Sequence, residues 1–473
     1  MRICEKTVGK QKNIIVLITV YLFTSLLINT EVMASPLISN APLLINKNAT
    51  ITIQGAGFGS KATASPIRFD NFKNSIVGQT MNQATGWWQD PSSAGGLPML
   101  ITQDNPRYTG SKSAKSSSQS SATGGIRTTS SWKTNVGFAD TKNIYVNWWV
   151  YWNPMTPPIG FEDVASTAYW QIKQLRIQAT TSADLGPGGN DFYMTHQNFI
   201  NRTTRENYGG NTYWPLYSKS SSGFTSYILG GGAGSGACTG TSPLTDPGWY
   251  NVSAQIKMDS SPGAGDGNIK IWTSFKDICG KPYSLKSVQS PPTPIIGSAD
   301  SYYNALVLQN YIGNIPTPPA FVSNKTGGYP VGYTVGYNGN WFICILANNP
   351  AVSPPSSGSN AYWQQTTTPY LMTLNLQYGD IYVDNSFARV EIGDASTYDA
   401  CTHREIQIPT VWSDGSISFI ANTGSFKAGA AYLYVIDANG NISTGKAITL
   451  TTGGTISAPK NPQGSLVPVQ PVQ

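Results

Sequence analysis

The sequence predicts an all-β fold. Three observations predict it. Apolar and polar residues alternate over short runs, and no stretch sustains the i, i+3, i+4, i+7 spacing of an amphipathic helix. Turn signals such as Gly265-Asp-Gly267, Ser413-Asp-Gly415 and Asp437-Ala-Asn-Gly440 separate the runs. Short alternating runs divided by such turns argue for a sandwich or jelly roll.

The first element is a leader. Arg2, Lys6, Lys10 and Lys12 give a basic start, and Ile14 to Ile28 is an apolar run broken only by Thr19, Tyr21, Thr24 and Ser25. Val32-Met33-Ala34 then places small or apolar residues before Ser35. This is the layout of a secretory signal peptide over residues 1–34, and the run is shorter than the ~20 apolar residues of a spanning helix. The expectation is a secreted or cell-surface protein with no membrane span after cleavage. Whole-chain charge is +6, from 30 Lys and Arg against 24 Asp and Glu. Only 11% of residues are charged, against about 25% in ordinary soluble domains. There is no basic stripe of the kind that binds nucleic acid. A polar, uncharged surface suits secreted β proteins and proteins that meet neutral glycans. Beyond Cys4, the four cysteines Cys238, Cys279, Cys344 and Cys401 suggest disulfides, with three pairings open; sequence proximity favours Cys238–Cys279 and Cys344–Cys401.

The strands follow in order. In Ile144 to Tyr151 one face carries Ile144, Val146, Trp148 and Val150, and the other Tyr145, Asn147, Trp149 and Tyr151. Trp170 to Ile177 and Asp191 to Asn198 alternate similarly. Trp249 to Met258 and Ile269 to Trp272 read as a hairpin with a tight Asp-Gly turn before Asn268. Tyr432 to Ile436 alternates before the turn at Asp437. The tail at 453–473, with four prolines, reads as extended and disordered.

Some of these motifs resemble known families. Pro36 to Asn40 followed by Ile51-Thr-Ile-Gln-Gly-Ala-Gly-Phe-Gly59 resembles the opening of an IPT/TIG domain, a small immunoglobulin-like sandwich. The glycines make sense where a strand ends in a sharp reversal. Phe69-Asp-Asn-Phe72 is similar to the first strand of a concanavalin A-like jelly roll of the LamG, glucanase and polysaccharide-lyase type. Tyr378-Gly-Asp-Ile-Tyr-Val-Asp384 resembles its closing strand. Ala388 to Gly393, Ile406 to Phe419 and Tyr432 to Ser443 again resemble IPT/TIG strands. The resemblance implies a concanavalin A-like jelly roll at 69–385 inserted into one discontinuous IPT/TIG-like sandwich, residues 36–68 and 386–452. The alternative is two partial sandwiches packed on the jelly roll, and pairing between residues 51–54 and the C-terminal segment separates the two.

Three functional expectations follow. The first is a carbohydrate-binding protein whose partner is a polysaccharide, held by Tyr145, Asn147, Trp149 and Tyr151, with Lys270 and Trp272 on the neighbouring hairpin. Aromatic planes beside uncharged hydrogen-bonding groups are the chemistry of such faces; the alternative is that these aromatics are packing. The second is a polysaccharide lyase using His196, Arg176 and Asn198. A lyase needs a base and a group that neutralises a uronate carboxylate. The lyase motifs R-x-E-L, Q-I-H and Y-x-K-A-G are missing, however, as is the E-x-D-x-x-E pattern of jelly-roll glycosidases. The third is a structural adhesion or appendage protein with no sugar site, in which the aromatic face is buried. The jelly-roll resemblance also implies a structural calcium, with Asp70, Asp380 and Asp384 as candidate ligands.

Overall fold

The computed structural model describes residues 35–81, 87–89, 99–119, 127–132, 139–152, 169–178, 191–200, 207–220, 223–229, 248–257, 268–273, 276–277, 283–284, 303, 305–313, 318–348, 351–367 and 373–451. The expected signal peptide at 1–34, the expected extended tail at 453–473, Cys238 and Cys279 lie outside these residues. Among the described residues there is no α-helix, only a 3-10 turn at Tyr398–Ala400. None of their helices is long and apolar enough to cross a membrane. The fold is all-β, with sheets of nine, seven, five, four and three strands among the described residues.

The predicted alternation of residues 144–151 becomes strand Asn143–Trp152, in the middle of the nine-stranded sheet. Strand Gly248–Lys257 pairs with it on one side and strand Thr373–Asp384 on the other. Ile144, Val146, Trp148 and Val150 are all buried, which explains the apolar face. Strand Arg68–Asp70 pairs with the end of Thr373–Asp384, setting Asp70 opposite Ile381. The opening and closing motifs are therefore neighbours. The hairpin expected around Trp249–Trp272 exists as an antiparallel pair, with Lys257 opposite Asn268; the expected turn at Gly265-Asp-Gly267 lies outside the described residues. Strands Tyr169–Gln178 and Asp191–Ile200 pair in the seven-stranded sheet.

Around residues 37–56 and 389–451, a four-stranded and a five-stranded sheet share one core. Strand Thr50–Ala56 pairs antiparallel with Ser416–Ile420, putting Ile53 opposite Ile417. Strand Leu44–Asn46 runs parallel to Lys446–Thr451. Ile38, Ile51, Ile53 and Phe58 are buried with Val390, Phe419, Leu433 and Ile448 in a single cluster. Burying a large aliphatic side chain stabilises by about 1.5–3 kcal/mol, so this shared core holds the two distant segments together. The Gly55-to-Gly59 motif serves that joint. A Cβ on Gly55 would lie 1.9 Å from the Leu37 carbonyl oxygen. Gly57 and Gly59 have φ of 70° and 71°, the left-handed region that glycine enters without a steric penalty. The reversal turns Phe58 into the core, and the Gly59 amide donates to Asp414 at 2.9 Å.

A three-stranded sheet, Thr334–Tyr337, Asn340–Cys344 and Trp363–Thr366, forms a separate small body with its own aromatic cluster of Tyr329, Tyr333, Phe342 and Trp363. Nothing in the alternation pattern predicts it. Cys344 is buried in that cluster, whereas Cys401 is buried against Tyr398 and Tyr434 in another. Both are free thiols, which corrects the expected Cys344–Cys401 disulfide. Each thiol instead faces local oxygen atoms, Cys344 the Leu346 carbonyl at 3.2 Å and Cys401 that of Thr397 at 3.5 Å.

Candidate functional site

The aromatic face of Asn143–Trp152 continues across its neighbours. Tyr145, Asn147, Trp149 and Tyr151 stand beside Gln255, Ser253, Asn251 and Trp249 on one strand. On the other side they meet Asp384, Tyr382, Gly379 and Gln377. Most of this face is covered. Tyr145, Asn147 and Trp149 are 1%, 7% and 6% exposed. Phe387 and Ile406 pack on Tyr145 and Tyr382, the Arg389 guanidinium lies 4.0 Å from the Tyr145 ring centroid, and His403 faces Trp149 at 5.5 Å. Asn147 and Asn251 satisfy each other, each amide donating to the other at 3.2 Å. These three residues therefore form a packing surface under the five-stranded sheet and not an open sugar groove. Lys270 and Trp272 are partly exposed, and Trp272 packs on the edge of the Tyr145 cluster.

The other end of the face is partly open to solvent. Tyr151 and Trp249 are partly exposed, with their rings edge to face at 5.6 Å. The Trp249 indole N–H donates to the Asn105 carbonyl at 2.8 Å, which fixes the ring beside the loop that carries Arg107 and Tyr108. No residue of this loop stood out in the sequence, because its partners are remote. The Arg107 guanidinium lies 4.3 Å from the Trp149 ring centroid and binds Asp380 and Glu405. Glu405 also takes the His403 Nε2 at 2.9 Å and the Ser425 amide at 3.1 Å. Burial pushes Glu405 up, but Arg107 and His403 outweigh it and hold the carboxyl down to about 2. Burial raises Asp380, with Arg107 offsetting part of that rise. Arg107, Tyr108 and Lys47 line a cleft of about 410 Å³ with Ser425 and Lys427. A second cavity of about 530 Å³ is lined by amides, Asn48, Asn71, Asn74 and Asn422 among them, beside Phe69.

The candidate calcium ligands do not fit a divalent cation, because each carboxylate already faces a cationic side chain. Asp70 accepts from Arg68 at 2.9 Å and from the Trp87 indole at 2.6 Å. Asp380 is taken by Arg107. Asp384 pairs with Lys61 at 2.6 Å and accepts from the Tyr382 hydroxyl at 2.9 Å. Calcium is bound by oxygen ligands that converge on it. Among the described residues no three His, Cys, Asp or Glu side chains converge in that way. His196 and Asn198 fall on strand Asp191–Ile200, opposite Ile172 and Trp170, while Arg176 on Tyr169–Gln178 stands opposite Tyr193. The backbone thus puts the candidate lyase residues on adjacent strands; their side chains lie outside what is described.

No family model matches the chain, and no curated protein matches it. Among solved structures, it is similar at 12% identity to domain 4 of an extracellular GH43 arabinanase from Geobacillus stearothermophilus in complex with arabinotriose, over 54% of this chain and 96% of that one, with a TM-score of 0.21. It is similar at 8% identity to the kappa-carrageenase of Pseudoalteromonas carrageenovora in complex with an oligosaccharide of kappa-carrageenan, over 67% and 93%, with a TM-score of 0.27. A pseudo β-1,3-glucanase of Mycobacterium tuberculosis follows at 9% identity over 73% and 98%, with a TM-score of 0.23.

Proposed function

We propose that the protein is an exported carbohydrate-binding protein that meets a polysaccharide at the partly open end of the nine-stranded sheet. The observation that carries this reading is the Tyr151–Trp249 pair, two partly exposed rings at 5.6 Å beside a polar cleft. Aromatic rings give the apolar faces of a sugar a platform, and neighbouring hydroxyls and amides fix its orientation. In this reading Tyr145, Asn147 and Trp149 brace the platform from beneath and do not touch the sugar. Residues 36–68 and 386–452 form one IPT/TIG-like sandwich interrupted by a jelly roll at 69–385. The pairing of Thr50–Ala56 with Ser416–Ile420 supports that division. The test is a glycan array with the Trp249→Ala variant. Binding by the native protein that falls at least about tenfold in the variant, the weight of one sugar-stacking ring, supports the reading. An array with no binding overturns it.

A structural adhesion protein is the second reading, and the burial of Tyr145, Asn147 and Trp149 favours it. It expects full function in the Trp249→Ala variant and loss of attachment when the sandwich is removed.

A further inference from the structure

The cleft beside the platform has an uneven charge. Its wall carries three cations, Lys47, Arg107 and Lys427, and among the described residues that line it there is no carboxylate. The counter-charges of Arg107 sit behind the wall: Asp380 and Glu405 are 4% and 1% exposed. Lys47 comes from the turn after strand Leu44–Asn46, and Lys427 from the loop before strand Gly429–Ile436. The Lys47 ammonium lies 4.1 Å from the Tyr108 ring centroid. Burial lowers the Lys47 pKa and Arg107 adds to this, while the buried Asp380 and Glu405 offset part of it from behind the wall. The hydroxyls of Thr109 and Ser425 also line the cleft.

We infer that this cleft binds the anionic group of an acidic glycan, a uronate carboxylate or a sulfate ester, with Lys47 and Lys427 as its direct partners. The inference rests on the carbohydrate reading and extends it to a substrate class. Arg107 is committed to Asp380 and Glu405, so it shapes the wall and supplies field, while the two lysines have ammonium groups on flexible stems to offer. The volume of about 410 Å³ suits one or two sugar rings. The Asn105–Thr109 loop joins the cleft to Trp249, so one glycan can stack at the platform and place its charged group between the lysines.

The experiment compares binding to polygalacturonate, dextran sulfate and neutral dextran at one fixed ionic strength, because exposed charges are screened by salt. The variants are Lys47→Gln/Lys427→Gln, and Lys325→Gln/Lys446→Gln, which removes equal charge elsewhere. The expected result is preference for an acidic polymer, a loss of about tenfold or more on it in the cleft variant, and no change in the control, as for a hydrogen bond to a charged group. The polymer that responds identifies carboxylate or sulfate. Lys427 is exposed, so Lys427→Gln alone carries the test if the double variant melts early. Preference for dextran, an unaffected cleft variant, or an equal loss in the control overturns the inference. A Trp249→Ala loss with unaffected lysine variants overturns it while leaving the carbohydrate reading standing; no binding to any polymer sinks both.

Discussion

Glu391 sits between two arginines with no solvent to share the charge. Arg389 Nε reaches one carboxylate oxygen at 2.5 Å, Arg404 Nε the other at 2.9 Å, and the Tyr398 hydroxyl bonds both. Burial works against this carboxylate, yet the two guanidinium groups hold its pKa below the ordinary value. A buried network of this kind adds little over apolar packing, but breaking it leaves uncompensated charge. Glu391→Gln should therefore cost about 3–5 kcal/mol, read as a shift of the denaturant midpoint. Glu405 makes a second residue-scale prediction with a defined sign. Its folded pKa of about 2 lies below the ordinary 4.5, so its stabilisation is complete above pH 4.5 and is lost as pH falls through 2. Asp380 has the opposite sign: raised by burial, it favours the folded state below its ordinary value and loses that advantage as pH rises through its folded value. Stability measured from pH 5 to 2 should fall in the native protein and fall less steeply in Glu405→Gln, where Glu391 still contributes. A Glu405→Gln curve that falls as steeply as the native one would contradict the assignment.

Strands were readable where alternation was uninterrupted, and unreadable elsewhere. Asn143–Trp152 and Gly429–Ile436 alternate cleanly, and the structure keeps both. The alternation showed which residues share a face but not whether that face meets water, because burial of Tyr145 depends on Phe387 and Ile406, far along the chain. Arg107 and His403 were invisible for the same reason: Arg107 meets Glu405 across 298 positions. The three-stranded body is hard to read because its strands are only four or five residues long, although the Asn338-Gly339 turn that joins the first two, both residues at positive φ, is a hairpin signal. Glycine geometry, by contrast, was legible from the Gly55-to-Gly59 motif. Gly55→Ala should push the Leu37 carbonyl away and separate strand Leu37–Asn40 from its partner. Hydrogen exchange should show lost protection confined to that strand and its neighbour. Gly424 is equally constrained: with φ of 48°, its Cβ would stand 2.0 Å from a Glu405 oxygen. Gly424→Ala should lower the melting temperature and abolish the acid-range slope that Glu405 produces.

At the scale of the whole molecule, the sandwich and the nine-stranded sheet are joined by aromatic packing and by Arg107. Trp149 is nearly buried between the Arg107 guanidinium and His403. Large buried aromatic side chains cost about 3–5 kcal/mol when cut to alanine. We expect one calorimetric transition in the native protein, because neither part exposes the joint without losing it. Arg107→Gln, which abandons two buried carboxylates at the joint, should split that transition into two. A single unshifted transition in the variant would show that the parts are held together by apolar contact alone.

The pairing of Thr52 with Ser418 spans 366 residues, which sets a timetable for biosynthesis. At roughly 5–20 residues per second, the ribosome delivers Ser418 roughly 20–70 s after Thr52. During that interval strand Thr50–Ala56 has only Leu37–Asn40 beside it, and its other, open edge is a template for aggregation. The nine-stranded sheet faces the same delay, since its Thr373–Asp384 strand also arrives late. A chain that closes with its last segments gains from staying unfolded until it is complete. Chaperones and the pace of synthesis should therefore govern its yield more strongly than the stability of the finished fold.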